Sequence, residues 1–208
     1  MTPHWELLRW AGRSIPVAWL LWVVVWVVLA LRAKPAVRRE GVRSRLAFSL
    51  PVALSMLLLL LAKRTHVGMA LQASGPPWSW LFLRFIRFYP GVVWVGAPLM
   101  LLGTALAFWA RFELAGNWSA SVALKQDHEL VQAGPYRFIR HPIYTGALLA
   151  VAGTACAIGQ WRGLLALALT FGAVWYRTSL EDRLMAATFG DEYRRYQSRA
   201  RRLIPFIL

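Results

Sequence analysis

The residues best suited to chemistry lie in one thirteen-residue segment, residues 134–146, which reads GPYRFIRHPIYTG. It places two arginines, two tyrosines and one histidine among glycine and proline residues. The Gly-Pro pair at its start is typical of a turn, and Pro142 suits the first turn of a helix. From that helix start, Arg140 and Tyr144 lie about one helical turn apart. The segment, here called the motif, predicts a surface rich in hydrogen-bond donors at the mouth of an apolar helix.

A second polar segment, residues 177–183, reads RTSLEDR and follows the next apolar stretch of the chain. A simpler interpretation of the motif is a basic, aromatic anchor at a membrane surface. However, the next basic residue after Arg140 is Arg162, so the basic residues of the motif mark only one end of its helix. Both polar segments then lie at that end, and together they predict a site.

The acidic residues are unevenly distributed, because only Glu6 and Glu40 of the nine precede residue 111. Carboxylates near the motif could bind a cationic ligand. The alternative is ordinary pairing with nearby arginines, which is favoured for Asp191 and Glu192. For Glu181 the ligand interpretation is favoured, because this residue continues a membrane helix toward the motif.

Composition places the chain in a membrane. Of 208 residues, 58% are hydrophobic, the mean hydropathy is +0.47, and the apolar residues come in blocks. The formal net charge of +15 could indicate nucleic-acid binding, but most basic residues flank apolar stretches, where they would meet anionic lipid head groups. We therefore expect membrane lipids as partners and no nucleic acid.

Five apolar stretches predict an all-α polytopic membrane protein with five transmembrane helices. They cover about residues 15–31, 46–62, 92–110, 143–158 and 163–176. We expect a single domain over residues 1–208, with three spans in residues 1–110 and a cofactor loop, a helical hairpin and a short amphipathic C-terminal helix in residues 111–208. Residues 66–90 are ambiguous, and an interfacial helix is favoured over a span.

The last two stretches are shorter than the roughly 20 residues that a span needs. Both helices can reach that length only through polar residues, Arg140 and His141 in one and residues 177–183 in the other. Such residues are costly in lipid and should face protein or water. Small residues at Gly146, Ala150, Gly153 and Ala157 would let the fourth helix pack closely in the hairpin. Gly146 and Ala150 could alternatively leave a lateral opening for a lipid chain.

The charge distribution predicts the topology. If the loop after the first span is cytoplasmic, seventeen of the twenty-four Lys and Arg residues lie inside. The positive-inside rule then places the N-terminus outside and the C-terminus inside. The motif and Glu181 both face the cytoplasm in this arrangement.

The motif resembles that of the isoprenylcysteine carboxyl methyltransferase family. The resemblance extends to the acidic pair Glu181-Asp182, to residues 189–196 (FGDEYRRY) and to the Ile204-Pro205 ending, so it covers about half of the chain. Related membrane methyltransferases that act on phospholipids and small thiols share the motif. The resemblance therefore implies the cofactor, S-adenosylmethionine, more firmly than the methyl acceptor. The family's usual acidic pair is Glu-Glu. Because the side chain of Asp182 is shorter, the direct contact with the cofactor is expected from Glu181.

The resemblance also implies which residues form the site. The cofactor would lie between the last two spans, the loop before them and the C-terminal helix. Residues expected to bind it are His128, Leu130, Val131, Gly134, Tyr136, Arg140, His141, Pro142, Tyr144, Glu181, Asp182, Tyr193 and Tyr196. Arg140 and Glu181 are the expected catalytic residues, with Arg140 steering an acceptor carboxylate through its planar guanidinium.

The function implied is methyl transfer to a lipophilic acceptor, most of all the carboxylate of an isoprenylcysteine-like molecule. Alternatives are a phospholipid or thiol methyltransferase, a nicotinamide-dependent membrane reductase, and a non-catalytic scaffold or small transporter. No Gly-x-Gly-x-x-Gly follows a strand pattern, which excludes a Rossmann-type cofactor site. His128 and His141 lack a third ligand at metal spacing, so no metal is expected. The compact chain, rich in Trp and Arg, is typical of a bacterial member, which would lie in the inner membrane.

Overall fold

The computed structural model describes residues 4–31, 36–39, 41–60, 73, 75, 79–86, 90–118, 123–125 and 129–204. Within them, five long helices form the fold: α1 (His4–Ala30), α2 (Val42–Leu60), α3 (Pro90–Leu114), α4 (Pro142–Ile158) and α5 (Trp161–Arg199). Each contains one of the predicted apolar stretches, or most of it, so the helical fold class is confirmed.

Two short strands, β1 (Ala36–Arg39) and β2 (Ala123–Lys125), form an antiparallel ribbon that was not predicted. It joins the loop after α1 to the loop before the motif. Strands of four and three residues are too short to produce a recognisable alternation of apolar and polar residues.

Three helical segments of the described chain are long and apolar enough to cross a membrane. They are Val42–Leu60, Val92–Asn117 and Trp161–Arg199, while Ser14–Ala30 and Pro142–Ile158 are shorter apolar helices. Leu20 on α1 and Leu50 on α2 are 63% and 61% exposed. Large apolar side chains that face outward are stable in lipid rather than in water, so the chain is an integral membrane protein.

Helices α3 and α4 run antiparallel with their backbones in direct contact. A Cβ added at Gly103 would lie 2.5 Å from the carbonyl oxygen of Gly146, and one at Gly96 would lie 2.6 Å from that of Gly153. The small residues of α4 were expected to pack closely in the hairpin with the fifth helix, and this is wrong, because they face α3. The lateral opening expected at Gly146 is wrong for the same reason, since the α3 backbone fills that space.

The connection between α4 and α5 is two residues long, Gly159 and Gln160. Gly159 adopts a left-handed conformation (φ 62°), and its N–H donates to the carbonyl of Ala155 at 2.9 Å. A Cβ at Gly163 would lie 2.9 Å from the Cα of Ala155, so α5 starts in close contact with α4. The connection therefore holds the polar end of α4 beside that of α5.

The described part of the ambiguous region lies against this connection. It is a 3₁₀ turn, Ser79–Phe82, followed by backbone hydrogen bonds from Phe85 N–H to the Gly159 carbonyl and from Trp161 N–H to the Leu83 carbonyl. The interfacial helix expected here is absent from residues 79–86, and the remainder of residues 66–90 lies mostly outside the described residues.

Helix α5 continues far beyond its apolar half. Residues 177–183 remain helical, as the sequence analysis required, and the backbone departs from helical geometry only at Gly190 (φ 54°, ψ −123°). This conformation suits glycine, which has no Cβ to clash. The turn at Gly190 directs residues 191–199, the predicted C-terminal helix, back across the polar end of α4.

Candidate active site

The motif begins with a turn that only glycine suits. Gly134 has a φ of 55°, and an added Cβ would lie 2.7 Å from the Glu113 carboxylate on α3. A 3₁₀ turn, Gly134–Arg137, follows, and α4 then begins at Pro142. Arg140 and His141 therefore precede the helix, whereas the sequence analysis extended the helix through them.

Asp182 is the most highly bonded side chain of the site. Its Oδ1 accepts hydrogen bonds from the Tyr193 hydroxyl at 2.5 Å and from Nε2 of His141 at 2.8 Å. Its Oδ2 accepts from Nε of Arg202 at 3.1 Å and Nη2 of Arg140 at 3.3 Å. Only 6% of the side chain is exposed. Both oxygens are thus occupied by the protein itself, and Asp182 organises the site from within.

Glu181 forms a second cluster with residues of α4 and α5. Its Oε1 accepts from the Tyr144 hydroxyl at 2.7 Å and from Nε of Arg177 at 3.1 Å, and the same Nε also donates to the Tyr144 oxygen at 3.2 Å. Its Oε2 lies 3.4 Å from Nδ1 of His141. The side chain is 23% exposed, so this oxygen has acceptor capacity for a further donor.

His141 joins the two carboxylates, because each of its ring nitrogens faces one of them. Burial of the imidazole lowers its pKa, but the hydrogen bonds and charges of Asp182 and Glu181 outweigh burial and raise the pKa above its ordinary value. A protonated imidazole can donate to both carboxylates at once. His141 therefore fixes the separation of Glu181 and Asp182.

The residues after α5 form a backbone ladder with the motif. Arg201 N–H donates to the Phe138 carbonyl at 3.0 Å, Arg140 N–H to the Arg201 carbonyl at 2.7 Å, and His141 N–H to the Arg202 carbonyl at 3.1 Å. The Thr145 hydroxyl donates to the Leu203 carbonyl at 2.6 Å. The ladder fixes which residues of the motif lie beside the residues that follow α5.

Arg140 is largely occupied by structural contacts. Its Nη1 donates to the backbone carbonyls of Ala200 at 2.6 Å and Gln197 at 3.3 Å, both at the end of α5, and its Nη2 donates to Asp182. Among the described residues, the Nε of Arg140 and the Nε of Arg111 are the two buried side-chain nitrogens without a hydrogen-bond partner. This geometry does not present the guanidinium fork to an acceptor, in contrast to the role expected from the sequence.

The predicted tyrosines close the other side of the site. The Tyr196 hydroxyl donates to the Tyr136 carbonyl at 2.6 Å, and Leu130 packs against the buried cluster of Tyr193 and Tyr196. Burial, reinforced by the charge of Glu181, raises the pKa of Tyr136 well above its usual range, so the phenol stays protonated.

The structure brings nearly all of the predicted residues into one region. They are Gly134, Tyr136, Arg140, His141, Pro142, Tyr144, Glu181, Asp182, Tyr193 and Tyr196, with Leu130 at the edge. Val131 is half-buried beside Leu130, and His128 lies outside the described residues. In the part of the chain that the structure describes, no three His, Cys, Asp or Glu residues are placed to hold a metal ion.

Sequence reasoning missed several residues of the site. Arg177 and Arg202 bind the two carboxylates, Phe48 lies over Arg177, and Glu113 lies against Gly134. Arg177 had a detectable signal, because it precedes Glu181 by one helical turn. Phe48 had none, since one aromatic residue within an apolar helix is ordinary.

The donor set fits S-adenosylmethionine. Glu181 offers the carboxylate of a 23% exposed side chain to a cationic or hydroxyl-bearing ligand, and the neighbouring half-buried ring of Tyr144 provides aromatic surface. Asp182 fits a supporting position instead, because all its contacts are internal.

Comparison with known proteins shows which proteins this chain is similar to. Residues 92–192 match the family model described as phospholipid methyltransferase. This range contains the motif and the acidic pair, and it ends just before Tyr193.

Individual relatives lead to the same group. The chain is 31% identical over 111 residues to a protein-S-isoprenylcysteine O-methyltransferase of Schizosaccharomyces pombe, covering 52% of this chain and 47% of that protein. It is 41% identical over 71 residues to methanethiol S-methyltransferase 1 of Bradyrhizobium diazoefficiens, covering 34% of this chain and 24% of that protein. The matched segments thus span less than half of these two relatives.

A solved structure of a eukaryotic intramembrane Ras methyltransferase, an isoprenylcysteine carboxyl methyltransferase, also matches. The identity is 22% with a TM-score of 0.49, covering 79% of this chain and 68% of that one. The family model and these two relatives agree with the resemblance that the motif indicated: the chain is similar to phospholipid, isoprenylcysteine and methanethiol methyltransferases.

Proposed function

We propose that this chain is an integral membrane methyltransferase that moves a methyl group from S-adenosylmethionine to a lipophilic acceptor, most of all the carboxylate of an isoprenylcysteine-like molecule. The observation that carries the proposal is the paired cluster of Glu181 and Asp182 around His141, built where α4 begins and where the apolar half of α5 ends. The similarity to methyltransferases supports it.

Glu181, Tyr144 and the motif turn at Gly134 would hold the cofactor. When bound, the cofactor supplies a methyl group activated by a sulfonium. A carboxylate acceptor is already a nucleophile at neutral pH, so the chain needs no general base for it. Its residues need only orient the two reactants and exclude water.

An anionic acceptor is supported by the charges around the acidic pair. Three guanidinium groups and one imidazole surround two carboxylates, which leaves positive charge in excess. Arg202 is the most accessible of the three arginines, with 24% of its side chain exposed against 11% for Arg140 and 1% for Arg177. In this proposal Arg202 binds the acceptor carboxylate, and Arg140 holds the residues that follow α5 in place.

The arrangement in the membrane is part of the proposal. All five helices would cross the bilayer, α4 and α5 as a hairpin, with the site on the cytoplasmic side where S-adenosylmethionine is available. The acceptor would enter from the lipid, because the helices are apolar up to the polar cluster.

The cofactor is tested by thermal unfolding of the purified protein with S-adenosylhomocysteine, with NADPH and without ligand. We expect only S-adenosylhomocysteine to raise the unfolding temperature, because a ligand stabilises the state that binds it. Stabilisation by NADPH alone would favour a reductase, and no response to either would favour a non-catalytic protein.

The acceptor is tested with labelled S-adenosylmethionine and three acceptors: a farnesylated cysteine analogue, phosphatidylethanolamine vesicles and a small alkyl thiol. We expect the label on the farnesylated analogue, as an ester that base hydrolyses. If the lipid amine or the thiol is labelled preferentially, that group is the acceptor and the proposed carboxylate acceptor is wrong.

A further inference from the structure

Helix α2 lies outside the segment that matches the methyltransferase family model, yet one of its side chains reaches the candidate active site. The ring of Phe48 lies 4.9 Å from the guanidinium carbon of Arg177 and meets the ring of Tyr144 edge-on, with centroids 6.1 Å apart. These are the two residues that bind Oε1 of Glu181. Phe48 thus touches two of the three members of that cluster.

The position of Phe48 on α2 distinguishes it from its neighbours. Leu46, Leu50 and Leu54 are 46%, 61% and 46% exposed, as expected for side chains that face lipid. Phe48 is half-buried and faces α5, against which α2 packs. Its aromatic face therefore covers a cation that is itself only 1% exposed.

A cation held against an aromatic face in a desolvated site is stabilised by the ring quadrupole, which an aliphatic side chain of similar size cannot supply. The Arg177 guanidinium must stay in one orientation for its Nε to reach both Glu181 and Tyr144. The Tyr144 ring packs on the same phenylalanine. One side chain of α2 thus restrains both donors.

We infer that Phe48 is a positioning residue of the active site: it fixes Arg177 and Tyr144, and through them the Glu181 carboxylate, so that α2 forms part of the site. The effect expected on cofactor binding rests on the proposed function. The contact between Phe48 and Arg177 is independent of that function.

The first experiment therefore needs no ligand. A double-mutant cycle combines Phe48→Leu with Arg177→Met and measures unfolding of the full chain in detergent. We expect Phe48→Leu to destabilise the protein, raising the equilibrium constant for unfolding about tenfold in the wild-type background. Once Arg177 is replaced, the same substitution should raise that constant about twofold or less. Equal effects in the two backgrounds would overturn the inference.

The second experiment measures the affinity for S-adenosylhomocysteine. We expect Phe48→Leu to weaken binding about tenfold and Phe48→Tyr, which keeps the aromatic face, to stay within about threefold of wild type. Leu50→Ala, on the lipid-facing side of α2, is the matched control and should leave binding unchanged. If Phe48→Leu and Phe48→Tyr weaken binding equally, Phe48 only packs.

The two measurements separate the two ideas. A wild-type protein that does not bind S-adenosylhomocysteine contradicts the proposed function, while the double-mutant cycle still decides whether Phe48 and Arg177 are coupled. A protein that binds it normally after Phe48→Leu retains the proposed function and removes the positioning role of Phe48.

Discussion

Asp182 and Arg202 are twenty residues apart on the same chain, yet Nε of Arg202 lies 3.1 Å from Oδ2 of Asp182. The turn at Gly190 makes this possible, because it sends the end of α5 back toward its own middle. The Arg202 guanidinium also lies 4.8 Å from the ring of Trp175, one turn before Ser179, whose hydroxyl it reaches at 3.3 Å. Arg202 thus holds a fixed position beside the motif while remaining partly accessible.

The first prediction concerns Arg202. Arg202→Gln should raise the KM for a carboxylate acceptor about tenfold or more, because a hydrogen bond to a charged group contributes about 1.5–3 kcal/mol. The affinity for S-adenosylhomocysteine should remain near wild type. Arg201→Gln is the control, because the Arg201 side chain is exposed and its ladder contacts are made by the backbone. Equal effects of the two substitutions would remove Arg202 from acceptor recognition.

The second prediction concerns Glu181. Glu181→Gln should weaken S-adenosylmethionine binding by about 1–3 kcal/mol, because the charged acceptor becomes a neutral amide. Isothermal titration of the folded variant measures the change. Asp191→Asn, at a site where the side chain is 80% exposed, removes a carboxylate of the same helix and should have no effect. Unchanged affinity in Glu181→Gln would leave Glu181 with a purely structural role.

The third prediction concerns pH. The pKa of His141 is raised in the folded protein, so its contribution to stability is fully present below the unfolded value, about 6.5. That contribution is lost as the pH rises through the folded pKa. Wild-type stability in detergent should therefore fall as the pH rises above about 6.5, and His141→Gln should flatten this part of the curve. A parallel curve for the variant would contradict the double contact of His141.

The fourth prediction concerns the contact between α3 and α4. Gly146→Ala should destabilise the protein by about 1–3 kcal/mol, since overpacking forces the two backbones apart. Gly172→Ala makes the same change on α5, where nothing lies within 4 Å of the added Cβ. It should be neutral or stabilising by up to about 1 kcal/mol, because alanine favours a helix over glycine. Thermal unfolding of both variants tests the pair.

The fifth prediction concerns topology. Reporter fusions at residues 40 and 208 should both report the cytoplasm, because the basic residues concentrate in the loops and tail on that side. A periplasmic signal from either fusion would reverse the proposed orientation of the site.

The motif and the acidic pair could be predicted because their functional residues lie close together in the sequence. Arg140, His141 and Tyr144 lie within five residues, and polar residues that continue an apolar helix stand out. The helix that packs against the α4 glycines could not be predicted in this way. Small residues indicate that another helix packs closely, but they do not indicate which one. The actual partner, α3, carries Gly96 and Gly103 at the same seven-residue spacing as Gly146 and Gly153 on α4.

The contacts of Arg140 could not be predicted for a similar reason. A guanidinium beside a predicted carboxylate-binding site is expected to bind a carboxylate, and the sequence gives no sign of competing carbonyl groups. Those carbonyls, of Gln197 and Ala200, become available only because α5 ends at Arg199 next to the motif. The competing acceptors come from a chain segment nearly sixty residues away.

The ladder between the motif and residues 201–203 has a consequence for biosynthesis. Helices α1 to α4 can insert into the membrane while translation continues, but Asp182 cannot acquire Arg202 until that residue has left the ribosome. The polar cluster therefore completes itself only after residue 202 has been synthesised. A nascent chain arrested before Arg201 should carry helices α1 to α5 and an acidic pair without the contact from Arg202.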